Sequence, residues 1–141
     1  MRDGATETAT ASTGYTMPLC VAESWGRLKG KRFGRLAISL DGQPEIFTVS
    51  FFASDWRLYL RMEPGTLLAS APMGTRVAFE VDDSYGNGAW TVVAKGTVCP
   101  TLTGDLDAAR RAPKLTWASE DDGAQLAIQI TDLTGRLFQR T

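Results

Sequence analysis

Between residues 33 and 139 the chain repeatedly alternates apolar and polar residues, and the alternating runs are cut at short intervals by turn-forming pairs. An alternating period of two sends successive side chains to opposite faces, as in a β-strand half exposed to water. Phe33 to Leu40 places Leu36, Ile38 and Leu40 on one face and Arg35, Ala37 and Ser39 on the other. Asp41-Gly42 then predicts a tight hairpin turn. The returning run Glu45 to Phe52 is apolar on both sides, which predicts a strand buried on both faces. Ser54-Asp55 turns the chain into Trp56 to Met62, where Trp56, Leu58, Leu60 and Met62 oppose Arg57, Tyr59 and Arg61. Further strands are expected over Arg76–Asp82, Ala89–Val98, Gln125–Thr131 and Leu133–Gln139, with Asn87-Gly88 as a second hairpin signal.

Helical periodicity is limited to short pieces. Leu19, Val21, Ala22, Trp25 and Leu28 predict one amphipathic helix from Pro18 to Leu28, with Gly30 at its exit. Pro64-Gly65-Thr66 reads as a turn leading into Leu67–Ala71, and Gly104–Arg111 as a brief surface helix. About seven short strands in one sheet would leave long exposed edges unless the sheet closed on itself, so a small antiparallel barrel is expected. Residues 1–16, rich in Thr, Ala and Gly, read as a disordered tail ahead of a single domain over 17–141.

Several kinds of chemistry are excluded. The chain contains no histidine, which removes Ser-His-Asp triads, Cys-His pairs and His-ligated metals. Its two cysteines, Cys20 and Cys99, are too few for a disulfide framework or a zinc site and are expected to be small buried apolar side chains. A net charge of −1 gives no field to recruit nucleic acid or anionic lipid. No apolar run reaches membrane-spanning length and no leader is evident, so a cytoplasmic protein is expected. Glu80, Asp82 and Asp83 beside a turn, and Lys29, Lys31 and Arg32 after the helix, are explained by solvation and helix-end electrostatics.

Five segments in order carry a family resemblance: Phe33–Ala37 with Asp41–Phe51, Leu60–Leu68, Val77–Asp82, Ala89–Gly96 and Asp132–Arg136. Together they resemble the pyridoxamine 5′-phosphate oxidase-like, FMN-binding split-barrel family over roughly residues 18–140. The resemblance implies a mainly β antiparallel split barrel that forms a homodimer, with cofactor sites built from both chains. It implies FMN as cofactor, with the deazaflavin F420 as alternative, and a flavin-dependent oxidoreductase acting on a small organic substrate. A carrier of the cofactor, or a barrel that kept its dimer and lost the flavin, is the competing expectation. On this resemblance Arg61, Gly65 and Thr66 correspond to the phosphate-binding segment, where a guanidinium and exposed N–H groups suit a phosphate. Val49, Ser50 and Phe51 correspond to the strand lining the ring system. Trp90 is expected against the cofactor or across the dimer seam, and Arg136 is expected to reach the site from the partner chain. Two positions depart from the pattern: Leu67 stands where relatives commonly carry Lys, and Ser50 where they often carry Asn.

Overall fold

The computed structural model describes residues 14–62, 66–101, 108, 110–113 and 124–140. Strand β1 spans Gly14–Leu19, helix α1 Val21–Lys29, β2 Phe33–Leu40, β3 Gln43–Ser54 and β4 Arg57–Met62. A 3₁₀ turn, Leu67–Ser70, leads to β5 (Arg76–Tyr85), β6 (Gly88–Cys99) and β7 (Ala124–Arg140). The seven strands run antiparallel in the order β1-β7-β4-β3-β2-β5-β6, and β6 pairs again with β7. That last pairing closes β2 to β7 into a barrel and leaves β1 fastened outside it, along the C-terminal half of β7.

Alternation explains the core. Leu36, Ile38, Val49, Phe51, Leu58, Leu60, Val77, Phe79, Val81, Val92, Ala94 and Ile128 point inward and are buried together. The barrel ring is bent where Lys95-Gly96 opposes Asp132 and Ile130, leaving Thr131 as the extra residue of a bulge. A side chain at Gly96 would collide with the Gln129 carbonyl, so the tight approach at the bulge requires glycine. Among the described residues no helix is long and apolar enough to cross a membrane.

The predicted hairpin over β2 and β3 is observed, with Asp41 and Gly42 both at positive φ (51° and 80°). Other expectations need correction. The helix begins at Val21, not Pro18; Cys20 caps it, accepting from the Glu23 amide at 3.5 Å, and Pro18 lies in β1. Its buried face is Ser24 and Leu28, with Val21 exposed, because Gly135 lets the Ser24 side chain close onto β7. β1 extends three residues into the segment expected to be a tail, held by pairs such as Tyr15 with Gln139; residues 1–13 lie outside the described set. Cys20 is exposed rather than buried.

In β3 only Val49–Phe51 and Ala53 are buried, and Ile46 is exposed on the barrel wall. Trp56 sits in the β3–β4 turn at positive φ rather than in the strand. The β5–β6 turn is Gly86-Asn87, one residue earlier than expected, since Gly88 already pairs with Tyr85. The two expected final strands are one, of 17 residues. The expected helix over 104–111 falls largely outside the described residues.

Candidate functional site

Strand alternation that sends Leu58, Leu60 and Met62 into the core sends Arg57, Tyr59 and Arg61 to the outer wall. On β3 the outward residues are Ser50 and Phe52, and the register sets Ser50 opposite Arg61 and Phe52 opposite Tyr59. β7 continues the row, with Gln125 opposite Arg61 and Ala127 opposite Tyr59. An arginine on a strand's outer face is ordinarily solvated. Arg61 is only 6% exposed, because the chain at 110–113 meets it through Ala112. Its Nη1 donates to the Ala112 carbonyl at 3.0 Å, and the neighbouring Arg111 guanidinium sits 5.3 Å from the Phe52 ring centre. The Ser50 hydroxyl, fully buried, donates to the Arg61 carbonyl at 3.4 Å. Burial of a cation is costly unless hydrogen bonds compensate it, which marks this wall as a built polar site.

Thr66 opens the 3₁₀ turn, and its carbonyl accepts from the Ala69 amide at 3.0 Å. Its Oγ1 is buried without a hydrogen-bond partner. A buried hydroxyl left unpaired costs about 1–3 kcal/mol, and Ser24 Oγ, packed against Gly135, is the other such atom among the described residues. The next residue, Leu67, is exposed at the position where the family resemblance places lysine. Gly65 lies outside the described residues.

The remaining expected site residues go elsewhere. Val49 and Phe51 face the barrel interior, Phe51 packing edge-on to Phe79 at 4.8 Å, so their side chains serve the core. Trp90 also faces inward, and Arg27 and Lys31 cover its ring at 5.3 and 5.7 Å. Arg136 is exposed on β7 and donates to Thr16 Oγ1 at 3.4 Å. It stands eleven residues along β7 from Gln125, the neighbour of Arg61. At about 3.3 Å per residue that is roughly 35 Å of strand. One chain therefore brings Ser50 and Arg61 together, with Thr66 four residues past β4, and holds its own Arg136 far from them along β7.

The outer face of β2 and β5 carries an ion-pair ladder. Arg35 contacts Glu80 at 2.8 Å and Asp82 at 3.0 Å, and the bond to Glu80 raises its affinity for its proton despite partial burial. Lys31 meets Asp83 at 2.7 Å; that bond, with the Ser84 amide, holds the Asp83 carboxyl below its usual range. Among the described residues no three His, Cys, Asp or Glu side chains converge as a metal site would require.

Neither the Ala112 carbonyl nor the pair Phe138 and Arg140 beside Arg136 is among the expected site residues. The first is a backbone atom from a distant loop and has no sequence signal. The second is visible as alternate residues on one strand face.

No curated protein matches the chain. Among solved structures it is similar to the FAD binding protein from Mycobacterium smegmatis, with 30% identity, a TM-score of 0.72 and coverage of 87% of this chain and 100% of that one. It is also similar to a FAD-binding protein from Mesorhizobium loti, with 27% identity, a TM-score of 0.70 and coverage of 89% and 98%. Residues 21–137 match the family described as pyridoxamine 5′-phosphate oxidase. With most of the chain inside that match and the split-barrel topology in place, the protein belongs to the pyridoxamine 5′-phosphate oxidase family.

Proposed function

We propose that the protein is a flavin-binding oxidoreductase that works as a homodimer and passes hydride or electrons to a small organic substrate. The observation that carries this reading is its likeness over nearly the whole chain to proteins named for binding FAD. FMN is the flavin to test first, because its phosphate and ring system are shared with FAD; F420 is the alternative. When bound, the flavin supplies the redox chemistry, so the protein needs to bind and orient it. This suits a chain without histidine.

The wall of β3 and β4 fits such a ligand at specific atoms. Thr66 Oγ1 offers a hydroxyl with no other partner to a phosphate oxygen. Arg61 supplies fixed positive charge on the same wall as Ser50, its orientation set by the Ala112 carbonyl. Ser50 steadies the Arg61 backbone and lies too deep to replace the longer amide that relatives often carry there. Leu67 contributes no ammonium, which lowers phosphate affinity by about 1.5–3 kcal/mol relative to a lysine-bearing relative.

The outer wall also supports self-association. Ile46 stands 74% exposed, opposite Ala37, which is in turn opposite Ala78, and the Arg35–Glu80 pair separates this row from the exposed Phe33. A second copy covering the Ile46, Ala37 and Ala78 row would remove it from water. It would also allow Arg136 of one subunit to approach the wall of the other.

The test is an absorption spectrum of the freshly purified protein, followed by titration with FMN, FAD and F420. Saturable binding with a flavin band, lost in Arg61→Ala, is the expected result, and reduction of the bound flavin by a substrate would establish catalysis. No binding of any of the three would overturn the reading. It would favour a dimer that has lost its flavin, for which the exposed Leu67 is the supporting observation. A monomer in sedimentation at micromolar concentration would overturn the dimer.

A further inference from the structure

On the last strand, Arg136, Phe138 and Arg140 occupy alternate positions and therefore share one face. The register shows what surrounds them. Phe138 lies between Ala89 on β6 and Thr16 on β1, and Arg140 lies opposite Gly14. These small neighbours leave the phenyl ring 37% exposed in a sheet where most large apolar residues face inward. Above them runs an open groove of about 670 Å³, floored by Phe138 and Ala89 and ended by Asn87 and Arg140. The Arg140 amide donates to the Asn87 carbonyl at 2.9 Å, which ties the strand end to the hairpin tip and holds the two ends of the groove wall together.

The charges here are not used internally. Among the described residues neither Arg136 nor Arg140 forms an ion pair, and Arg136 is held toward β1 by its bond to Thr16. The nearby carboxylates are committed elsewhere, Asp82 to Arg35 and Asp83 to Lys31. The result is an exposed aromatic face with the guanidinium of Arg140 available beside it, about 7 Å along the strand from the ring-bearing residue. Guanidinium binds phosphate through paired hydrogen bonds, and a phenyl face stacks a planar base of any sequence.

We propose that this groove binds a nucleoside phosphate, with the base stacked on Phe138 and the phosphate held by Arg140 at the Asn87 end of the groove. The site does not depend on the flavin reading. Of its lining, residues 14–16 and 138–140 lie outside the stretch that matches the family, and residues 86–89 lie within it. The single ring and short groove suit a mononucleotide rather than a nucleic-acid strand, in keeping with the net charge of −1.

The test is calorimetric titration of the full chain with ADP at low ionic strength. Saturable binding is expected, weakened about tenfold or more by Phe138→Ala and by Arg140→Ala. Arg140→Lys, which keeps charge but loses the paired geometry, should fall between Arg140→Ala and the parent. Both positions are exposed, and thermal melting checks that each variant is folded. Absence of saturable ADP binding, or binding unchanged in both alanine variants, would overturn the proposal. Pyrophosphate binding as tightly as ADP would also overturn it, showing an anion site without stacking. Tighter binding of a short oligothymidylate than of ADP would overturn it in favour of single-stranded nucleic acid. Arg61→Ala keeps this separate from the flavin site: it should leave ADP affinity unchanged while abolishing FMN binding.

Discussion

The hairpin turns at either end of β3 have the same backbone shape and very different chemistry. In the β2–β3 turn Asp41 and Gly42 have φ of 51° and 80°; in the β3–β4 turn Asp55 and Trp56 have φ of 51° and 61°. Both residues of each turn lie in the left-handed region, as the twist of a tight hairpin demands. Glycine takes that conformation freely, whereas tryptophan there costs about 1–2 kcal/mol. The second turn is held from outside. The Trp56 ring stacks on Trp25 at 5.2 Å, and Lys29 lies near the Trp25 ring at 5.8 Å. The Trp56 carbonyl accepts from the Ile130 amide at 2.9 Å and from Gln129 Nε2 at 3.0 Å. A turn can be specified by its own residues or imposed by its neighbours, and this molecule uses one method on each side of a single strand.

Removing the outside support should have the largest effect. Trp25→Ala is expected to destabilise the fold by about 3 kcal/mol in urea denaturation, through lost packing as well as the lost stack. In that background Trp56→Gly should recover about 1 kcal/mol, since only the strain remains to be relieved. Additive single effects would show that the two rings are not coupled. Gly42→Ala comes next, costing about 1 kcal/mol because the self-specified turn has no external support. Trp56→Gly alone should change stability by about 0.5 kcal/mol or less, strain relief offsetting a stack worth about 0.5–1.5 kcal/mol.

The smallest effect belongs to the third hairpin, where a surface ion pair supplements the turn. Asp83 is held below its ordinary range by Lys31 in the folded state. Its contribution is therefore present above the ordinary aspartate value and is lost as pH falls through the lowered folded value. Asp83→Asn should flatten the acid limb of a melting-temperature profile slightly, and salt should erase the difference from the parent.

The same contrast explains what could be read from the sequence. β2 and its Asp41-Gly42 turn were legible because pattern and turn chemistry agree locally. The Asp55-Trp56 turn was not, because Trp25 and Gln129 impose it from positions remote in the chain. The β5–β6 turn was misplaced by one residue because Gly88 is needed for space: a side chain there would meet the Tyr85 ring. β1 escaped notice for a related reason. Its composition resembles a tail, and only the pairing of residues such as Thr16 with Phe138 makes it a strand.

In the candidate site, Arg61 was recognisable by type and position, yet its burial rests on Ala112, fifty-one residues further on. Val49 and Phe51 lie on β3 as the pattern requires, but alternation turns their side chains into the core and leaves Ser50 on the outer wall. The row Arg136, Phe138 and Arg140 was open to reading throughout, since it needs only the period of a strand.

β7 belongs to three ladders at once, with β4, β6 and β1. As the last described strand to leave the ribosome, it is the piece without which no ring can close. Until it arrives, the edges of β4 and β6 stay open, each a template for pairing with a neighbouring chain. Most of its partners lie tens of residues upstream, so closure must await long-range encounters and is expected to limit the folding rate. Nascent chains stalled before residue 124 would thus be the aggregation-prone species in the life of this protein.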